Sequence, residues 1–313
     1  MAAPIVVSLG GNALIPGNRG GRIDEQFKVT EDTMRHVVDM LLAGEQVVLT
    51  HGNGPIVGNI VIRNEAAAHM IPPTPLYICG ADSQGGIGFM AQQVLGNLLH
   101  RAGLEREVVT IVTQVVVDRD DPGFQAPSKP IGPFYTEQEA QALARTRSWH
   151  MMEDAGRGWR HAVPSPEPLR IVEIDVIRTL VAAGHVVIAA GGGGVPVIET
   201  TPGIYQGVEA VIDKDLASVV LAREVGARRL VIVTSVDQVS IHFRTPQERR
   251  LELLHLSEAR QYYAEGHFPP GNMGPKILSA IRFLDQGGAE VLITSPGKLD
   301  EALAGRAGTR VVP

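Results

Sequence analysis

Three lysines stand in sequence contexts that are unusual for surface lysines. Lys129 lies between prolines in "APSKPIGPFY", Lys214 lies between two aspartates in "VIDKDLAS", and Lys276 follows the turn-forming residues of "GNMGPK". Each lysine alone is equally consistent with an ordinary solvated surface residue. Together, three ammonium groups could neutralise the charge that spreads over the oxygens of a phosphoryl group during its transfer.

The two aspartates beside Lys214 have two interpretations. Asp213 and Asp215 could hold the lysine ammonium groups in place or orient waters around Mg²⁺. Alternatively, they are the charged start of a helix, where Asp215 would interact favourably with the helix dipole. The sequence leaves both interpretations open.

Four predicted strand ends run into glycine-rich turns. They are "SLGGN" (8–12), "THGNG" (50–54), "AAGGGG" (189–194) and "PPGNMGPK" (269–276). Glycine lets a backbone amide approach an anion, although it also punctuates ordinary connections between elements. The first turn has no Lys or Arg beside it, so a phosphate bound there would need a cation from a distant segment.

Two familiar nucleotide motifs do not fit. The segment "HGNGPIVG" has the glycine spacing of a dinucleotide site, which also needs an acidic residue at the end of the next strand. We predict that strand within "PLYICGADSQG" (75–85), where it runs into Gly80 and Ala81 and leaves Asp82 in the following turn. This argues against a nicotinamide or flavin dehydrogenase, and the absence of GxxxxGK[ST] excludes a P-loop enzyme.

Hydrophobic patterning predicts the elements that must position these residues. Apolar β-branched runs, which are typical of central strands in a parallel sheet, occupy 4–9, 46–50, 107–113, 185–190, 229–234 and 290–294. Segments with helical spacing, each followed by glycine, occupy 25–43, 84–102, 170–183 and 275–286. The alternation predicts an α/β fold, a three-layer αβα sandwich with a mostly parallel central sheet and ligands beyond its carboxyl edge.

Residues 119–170 differ from the rest in composition. They contain seven of the 21 prolines and both tryptophans, Trp149 and Trp159. Prolines stiffen extended segments and the tryptophans supply a packing surface. We expect a small protruding lid subdomain, inserted within a single domain over 1–313.

Composition excludes several classes of function. A net charge of −6 over 313 residues gives no general attraction to nucleic acid or anionic membranes. The single Cys79, which we interpret as a small apolar residue, excludes an internal disulfide framework. Neither a targeting segment nor a transmembrane run is evident, so we expect a soluble cytoplasmic protein.

Taken together, the motifs resemble carbamate kinases, a branch of the amino acid kinase family. The resemblance follows the chain in order through "SLGGNAL", "HGNGPIVG", "KPIGPFY", "GRGWR", "GVEAVIDKDLAS" and "GNMGPK". It implies the three-layer fold, a homodimer, and reversible phosphoryl transfer between ATP and carbamate, which gives ADP and carbamoyl phosphate with Mg²⁺. Mg²⁺ would be held mainly by ATP phosphates and water, without a direct protein ligand.

The resemblance also implies roles for individual residues. Other amino acid kinases often carry a lysine before the first Gly-Gly, whereas carbamate kinases lack it, as at Ser8, and use the lid lysine, here Lys129. The implied catalytic residues are Lys129, Lys214, Asp215 and Lys276. The N-terminal part would bind carbamate and the transferred phosphoryl group through Gly10, Gly11, Asn12, Gly52, Asn53 and Gly54. The C-terminal part, from about 185 to 313, would bind the nucleotide through Asp213, Ser235, Asp237, Met273, Gly274 and Lys276.

Three positions depart from the usual pattern of that family, namely Ile56 in place of Gln, Asp82 in place of Met, and Asn272 in place of Ser. Ile56 indicates either a different small acid as acceptor or a helix residue facing the core. Carbamate is already an anion, so no general base is expected, and His51 is interpreted as structural or orienting. Two other functions stay open: a kinase of the same fold acting on another small carboxylate or phosphate, and a non-catalytic nucleotide-binding regulator.

Overall fold

The computed structural model describes residues 3–15, 21–147, 149–154, 156, 158–269 and 271–313, and of Asn12 only the backbone. In chain order its α-helices are α1 (Ile23–Leu42), α2 (Ile56–Ala67), α3 (Leu76–Arg101), α4 (Glu137–Arg147), α5 (Ile174–Ala182), α6 (Lys214–Glu224), α7 (Leu256–Ala264), α8 (Met273–Asp285) and α9 (Leu299–Leu303). Its β-strands are β1 (Ile5–Leu9), β2 (Val47–His51), β3 (Val108–Thr110), β4 (Gln114–Val117), β5 (Lys129–Tyr135), β6 (Met151–Glu153), β7 (Trp159–Val163), β8 (Pro168–Ile171), β9 (Val186–Ile188), β10 (Val195–Thr201), β11 (Ile204–Gly207), β12 (Arg229–Val233), β13 (Val239–Ile241), β14 (Arg249–Leu251), β15 (Leu253–His255), β16 (Glu290–Thr294) and β17 (Thr309–Val312). Within these ranges no helix is both long and apolar enough to cross a membrane.

The central sheet has eight strands in the order β15-β17-β16-β12-β1-β2-β9-β3. Its neighbours run parallel, apart from the antiparallel pair of β16 and β17. All six strands predicted from β-branched runs lie in this sheet. At its centre, Leu9 pairs with Val233 on one side and with His51 on the other, so three strand ends meet at one edge.

Successive side chains of β1 point to opposite faces of the sheet, and each face packs against its own apolar core. Ile5 and Val7 face a core that includes residues of α1 and α3, such as Met34. Val6 faces the opposite core, which includes residues of α6 and α8, such as Leu221. Full burial of one such aliphatic side chain contributes about 1.5–3 kcal/mol. The predicted three-layer αβα fold is therefore confirmed, and Ser8 shares the face of Val6.

Within the segment 119–170, three strands form a separate antiparallel sheet in the order β5-β7-β6, joined by helix α4. Strand β5 begins at Lys129 and packs directly on α2. The backbones touch there, because a Cβ atom built on Gly58 of α2 would lie 2.6 Å from Gly132 Cα of β5. Glycine at position 58 thus sets how closely β5 approaches the main body of the protein.

Two of the predicted local structures are wrong. The segment 75–85 is not a strand, because α3 begins at Leu76, eight residues before the predicted helix start. Both carboxylate oxygens of Glu209 accept from the Leu76 amide at 3.1 Å and so stabilise this helix end. The argument against a dinucleotide site based on that strand therefore fails. The turn at 269–276 follows helix α7 rather than a strand.

The predicted helix over 170–183 is shorter than expected. Residues up to Ile171 belong to β8, an edge strand of a four-stranded sheet with the order β11-β10-β4-β8. Helix α5 therefore begins only at Ile174.

Candidate active site

A cavity of about 380 Å³ lies at the carboxyl edge of β1, β2 and β12. Most of the residues predicted for the site line it: Gly10, Gly11, Gly52, Asn53, Gly54, Lys129, Asp213, Lys214, Asp215, Ser235 and Lys276. They come from both ends of the chain because parallel strands place their carboxyl ends side by side. The cavity thus joins the first two glycine turns to all three lysines.

The first two glycine turns touch each other through their backbones. Gly10 N donates to Val233 O at 2.8 Å, and Gly52 N donates to Leu9 O at 2.9 Å, so both turns are anchored on the strand ends. A Cβ atom at Gly11 would lie only 2.5 Å from Gly54 O. A side chain at position 11 would therefore push the two turns apart.

Asp215 connects two of the lysines. Its Oδ1 accepts from Lys214 Nζ at 2.7 Å and its Oδ2 accepts from Lys276 Nζ at 3.1 Å, while only 4% of the residue is exposed. Burial opposes ionisation of this carboxyl, but the two ammonium groups outweigh it and hold the pKa of Asp215 below its usual range. Burial lowers the pKa of Lys214, and Asp215 opposes that effect. The carboxylate thus keeps two neighbouring cations together inside the protein.

Asp213 holds the third lysine. Its Oδ2 accepts from Lys129 Nζ at 2.6 Å, and its Oδ1 accepts from the Asp215 amide at 2.9 Å as the N-cap of α6. Both interpretations of this aspartate therefore apply at once: it begins the helix and it anchors a lysine. The pair also ties the start of β5 to the start of α6.

Lys214 brings an ammonium group to the first glycine turn. Lys214 Nζ donates to Ser8 Oγ at 2.8 Å, and Ser8 Oγ lies 2.9 Å from Ser218 Oγ. Ser218 also donates to Lys214 O at 2.7 Å, which closes a buried network around the lysine. Ser8, two residues before the first Gly-Gly, is thus contacted by Lys214, whereas Lys129 reaches Asp213.

His51 is buried at the end of β2, and its Nδ1 lies 3.1 Å from Gly52 O. Burial is the main cause that lowers the pKa of His51 to about 4, so its imidazole is neutral near pH 7. A Cβ atom at Gly191 would lie 2.4 Å from His51 Nε2, which shows how closely the ring packs against that turn. His51 does not line the cavity. These contacts are those of a structural residue.

Three predicted nucleotide-binding residues lie outside the cavity lining. Asp237 Oδ1 accepts from Ser295 Oγ at 2.5 Å. Met273 packs partly buried against the core, and Gly274 N donates to Pro269 O at 2.9 Å. The side chain of Asn12, predicted to bind the acceptor, lies outside the described residues.

The three positions that depart from the usual family pattern lie in different parts of the structure. Ile56 packs against the core that contains α1 and α3 and does not line the cavity, as the core-facing interpretation expects. Asp82 is exposed on α3. Asn272 lines the cavity, and its carbonyl oxygen accepts from Lys276 Nζ at 3.2 Å.

Arg160 was not among the residues predicted for the site. This residue of β7 lines the cavity, donates through Nε to Gly132 O at 3.2 Å, and pairs through Nη1 with Asp154 at 3.1 Å. Its guanidinium carbon lies 5.2 Å from the centre of the Phe134 ring. The signal was the position of "GRGWR" within the inserted segment, which also contains Phe134.

These features agree with a direct family match. The amino acid kinase family model matches residues 3–295, and the chain belongs to that family.

Several of the similar proteins are carbamate kinases or are named after them. Carbamate kinase of Pyrococcus horikoshii is 49% identical over 315 aligned positions that cover 100% of both chains. The carbamate kinase-like protein YahI of Escherichia coli is 48% identical over 98% of both chains. The structure of carbamate kinase from Giardia lamblia bound to AMP-PNP is 44% identical, with a TM-score of 0.90 over 99% of this chain and 98% of that chain.

Proposed function

We propose that the chain is an ATP-dependent carbamate kinase that catalyses the reversible reaction of ATP and carbamate to ADP and carbamoyl phosphate. The observation that carries the proposal is the charge of the cavity. Among the described residues, four cationic side chains and two carboxylates line it, an excess of two positive charges for phosphate oxygens: Lys129, Arg160, Lys214 and Lys276 against Asp213 and Asp215. The full-length similarity to carbamate kinases supports the same conclusion.

The helices add to this positive field. Helices α6 and α8 both begin at the cavity, since Lys214 and Asn272 line it. Free amides and the dipole at a helix N-terminus favour anions. Lys214 and Lys276, held together by Asp215, would stabilise the charge on the transferring phosphoryl oxygens, and Lys129 would approach from β5.

The transfer needs no general base. A carbamate oxygen attacks the γ-phosphorus in line, a new O–P bond forms, and the bond to the β-phosphate oxygen breaks as ADP leaves. Because carbamate is an anion, no proton has to be removed. The site agrees with this mechanism, since His51 does not line the cavity and the pKa of Asp215 is held low.

Mg²⁺ fits this site as a partner of the nucleotide rather than of the protein. The two carboxylates that line the cavity are already paired with lysines, Asp213 with Lys129 and Asp215 with Lys214 and Lys276. The metal would neutralise charge on the ATP phosphates, and we place its other ligands on water.

We also propose that the protein is a cytoplasmic homodimer. Strand β3 is the edge strand of the central sheet, where α3 packs beside it and Gln92 Oε1 of α3 accepts from the Thr110 amide at 2.9 Å. On this helix Phe89 is 59% exposed and Ile78 is 38% exposed. An exposed apolar face on the helix that covers the sheet edge is suited to pairing with a second copy. A cytoplasmic location agrees with the use of ATP and with the free Cys79.

One assay tests the reaction. The protein is incubated with ADP, Mg²⁺ and carbamoyl phosphate, and ATP formation is followed with a coupled luciferase readout. ATP formation supports carbamate as the acceptor. Turnover only with other acyl phosphates would show that the acceptor is a small acid other than carbamate. Nucleotide binding without turnover would indicate a regulator.

A further inference from the structure

Arg160 lies opposite a break in the pairing of β5 with β7. The register shifts between Ile131 and Tyr135, and residues 132–134 of β5 lie there opposite Arg160 alone. Such a bulge leaves backbone groups outside the ladder of hydrogen bonds. One of them is the carbonyl of Gly132, which accepts from Arg160 Nε at 3.2 Å. The side chain of Arg160 thus replaces a lost backbone partner.

Two further contacts fix the guanidinium group of Arg160. Its Nη1 donates to Asp154 Oδ2 at 3.1 Å, and its Cζ lies 5.2 Å from the centre of the Phe134 ring. Only 19% of the side chain is exposed. Because this group is already held in place, it loses less conformational freedom on binding a ligand than a mobile surface arginine would.

One nitrogen of the group is left for a ligand. Among the residues that the structure describes, Nη2 has no hydrogen-bond partner, and it is not closed off from solvent. Arg160 lines the active-site cavity. A guanidinium group presents its donors in a fixed fork, so Nη2 can donate to an oxygen in the cavity while Nε and Nη1 keep their protein partners.

Arg160 approaches the second glycine turn. A Cβ atom built on Gly58 would lie 2.6 Å from Gly132 Cα, so the backbone that Arg160 binds rests on the first turn of α2. This helix begins two residues after Gly54. Gly54, Gly58, Gly132 and Arg160 all line the cavity. Arg160 therefore enters the cavity beside the turn that is predicted to bind the acceptor.

We propose that Arg160 binds the acceptor and donates through Nη2 to the carbamate oxygen that does not receive the phosphoryl group. This role rests on the reaction proposed above. In ATP formation, an oxygen of the ADP β-phosphate attacks the phosphorus, the bond between phosphorus and the carbamate oxygen breaks, and its electron pair stays with the carbamate. The negative charge is then shared by both carbamate oxygens. A donor at the second oxygen stabilises this developing charge more than it stabilises bound carbamoyl phosphate.

Arg160→Met keeps an apolar stem and removes the donors. We expect kcat/KM for carbamoyl phosphate to fall about 10- to 100-fold, the effect of one hydrogen bond to a charged group. Part of this loss should appear in kcat, because the hydrogen bond strengthens in the transition state. The KM for ADP should change little. ATP formation is measured with each substrate varied in turn.

Arg147→Met is the matched control for a general loosening of the inserted segment. Arg147 also pairs with a carboxylate, that of Glu65, and its Cζ lies 5.2 Å from the centre of the Trp149 ring. Unlike Arg160, it does not line the active-site cavity. Its replacement should leave kcat and both KM values unchanged.

A double variant tests the effect of the carboxylate that Arg160→Met leaves behind. Without Arg160, the charge of Asp154 would repel an anionic substrate. The double variant Arg160→Met/Asp154→Asn removes both charges. It should show the same fall in kcat/KM for carbamoyl phosphate as Arg160→Met alone.

The wild-type reaction separates the two levels of the proposal. If the wild type forms no ATP, the proposed reaction is wrong, and the role of Arg160 falls with it. If the wild type is active, four results overturn the role of Arg160 alone: an unchanged kcat/KM in Arg160→Met, an equal loss in Arg147→Met, an equal rise in the KM for ADP, or recovery in the double variant.

Circular dichroism confirms that each variant is folded. If Arg160→Met does not fold, Arg160→Lys takes its place in the same measurements. Its single ammonium group keeps the charge beside Asp154 and lacks the fork that carries Nη2, so the same fall in kcat/KM for carbamoyl phosphate is expected.

Discussion

Replacing Ser8 by alanine removes the hydroxyl that positions the ammonium group of Lys214. Lys214 Nζ donates to Ser8 Oγ at 2.8 Å, and Ser8 is fully buried. Ser218 Oγ lies 2.9 Å from Ser8 Oγ and donates to Lys214 O at 2.7 Å. Since Ser218 has one hydroxyl proton, Ser8 donates to it, and the three groups form a closed chain.

The size of the effect follows from this geometry. A hydrogen bond to a charged group contributes about 1.5–3 kcal/mol, and each ~1.4 kcal/mol of transition-state stabilisation is tenfold in rate. Asp215 still binds Lys214 in the variant, so the ammonium is displaced rather than lost. We expect kcat for Ser8→Ala to fall about 10- to 100-fold. The KM for ADP should change little.

A pH profile separates positioning from a general loss of structure. Burial already lowers the pKa of Lys214, and removing an acceptor from the charged form lowers it further. The alkaline limb of kcat should therefore move to lower pH in Ser8→Ala. ATP formation from ADP and carbamoyl phosphate is measured across the alkaline range for both proteins.

Ser279→Ala is the matched control. Ser279 is also fully buried, and its hydroxyl has no hydrogen-bond partner within the described part of the chain. It lies on α8, the helix that carries Lys276, but its removal should leave kcat unchanged. Wild-type kcat and pH profile in a folded Ser8→Ala protein, or an equal loss of kcat in Ser279→Ala, would refute the positioning role of Ser8.

The remaining predictions concern the other anchors of the site and the proposed dimer. Lys129→Ala should lower kcat about 10³-fold with little change in melting temperature, because the lysine acts mainly on the transition state; near-normal turnover would refute the assignment. Asp215→Asn should lower kcat strongly with a modest change in ATP affinity, and should reduce the free energy of unfolding by about 3–5 kcal/mol at pH 7, because two buried ammonium groups lose their carboxylate. The pKa of Asp215 is depressed in the folded protein, so the carboxylate stabilises the fold above its unfolded pKa of about 3.9, and this stabilisation is lost as the pH falls further. In urea unfolding, the free energies of unfolding of wild type and Asp215→Asn should therefore become more similar as the pH falls into the acid range. A difference that does not change with pH would contradict this argument. Phe89→Glu should convert the dimer to monomers in light scattering, whereas the substitution Arg63→Glu should not; an unchanged dimer would exclude this face.

Most of the sheet could be predicted from local patterns. Six apolar runs became strands of the central sheet because residues such as Val6 and Val7 are buried on opposite faces. The start of α3 could not be predicted in this way. Its first residues include Tyr77 and Ile78, which favour strands, and the acceptor for the Leu76 amide at its start is Glu209, 133 positions away.

The candidate site, too, could be predicted only in part from the sequence. The lysines were recognisable from their neighbours, and the meeting of the glycine turns follows from parallel strands. The pairing of Lys129 with Asp213 joins residues 84 positions apart, and that of Lys276 with Asp215 joins residues 61 positions apart. The sequence around each lysine does not indicate which distant aspartate it will pair with.

By itself, the sequence determined the residue types of the site: glycines that let backbones touch, lysines in turns, and apolar strands that bring them to one edge. Only the tertiary structure decided which lysine contacts which residue of the site. Lys214, rather than Lys129, reaches Ser8 across 206 positions. The physical reason is that Ser8 and α6 share one face of the sheet, and the packing of that face, which many distant residues set together, directs the lysine to the hydroxyl.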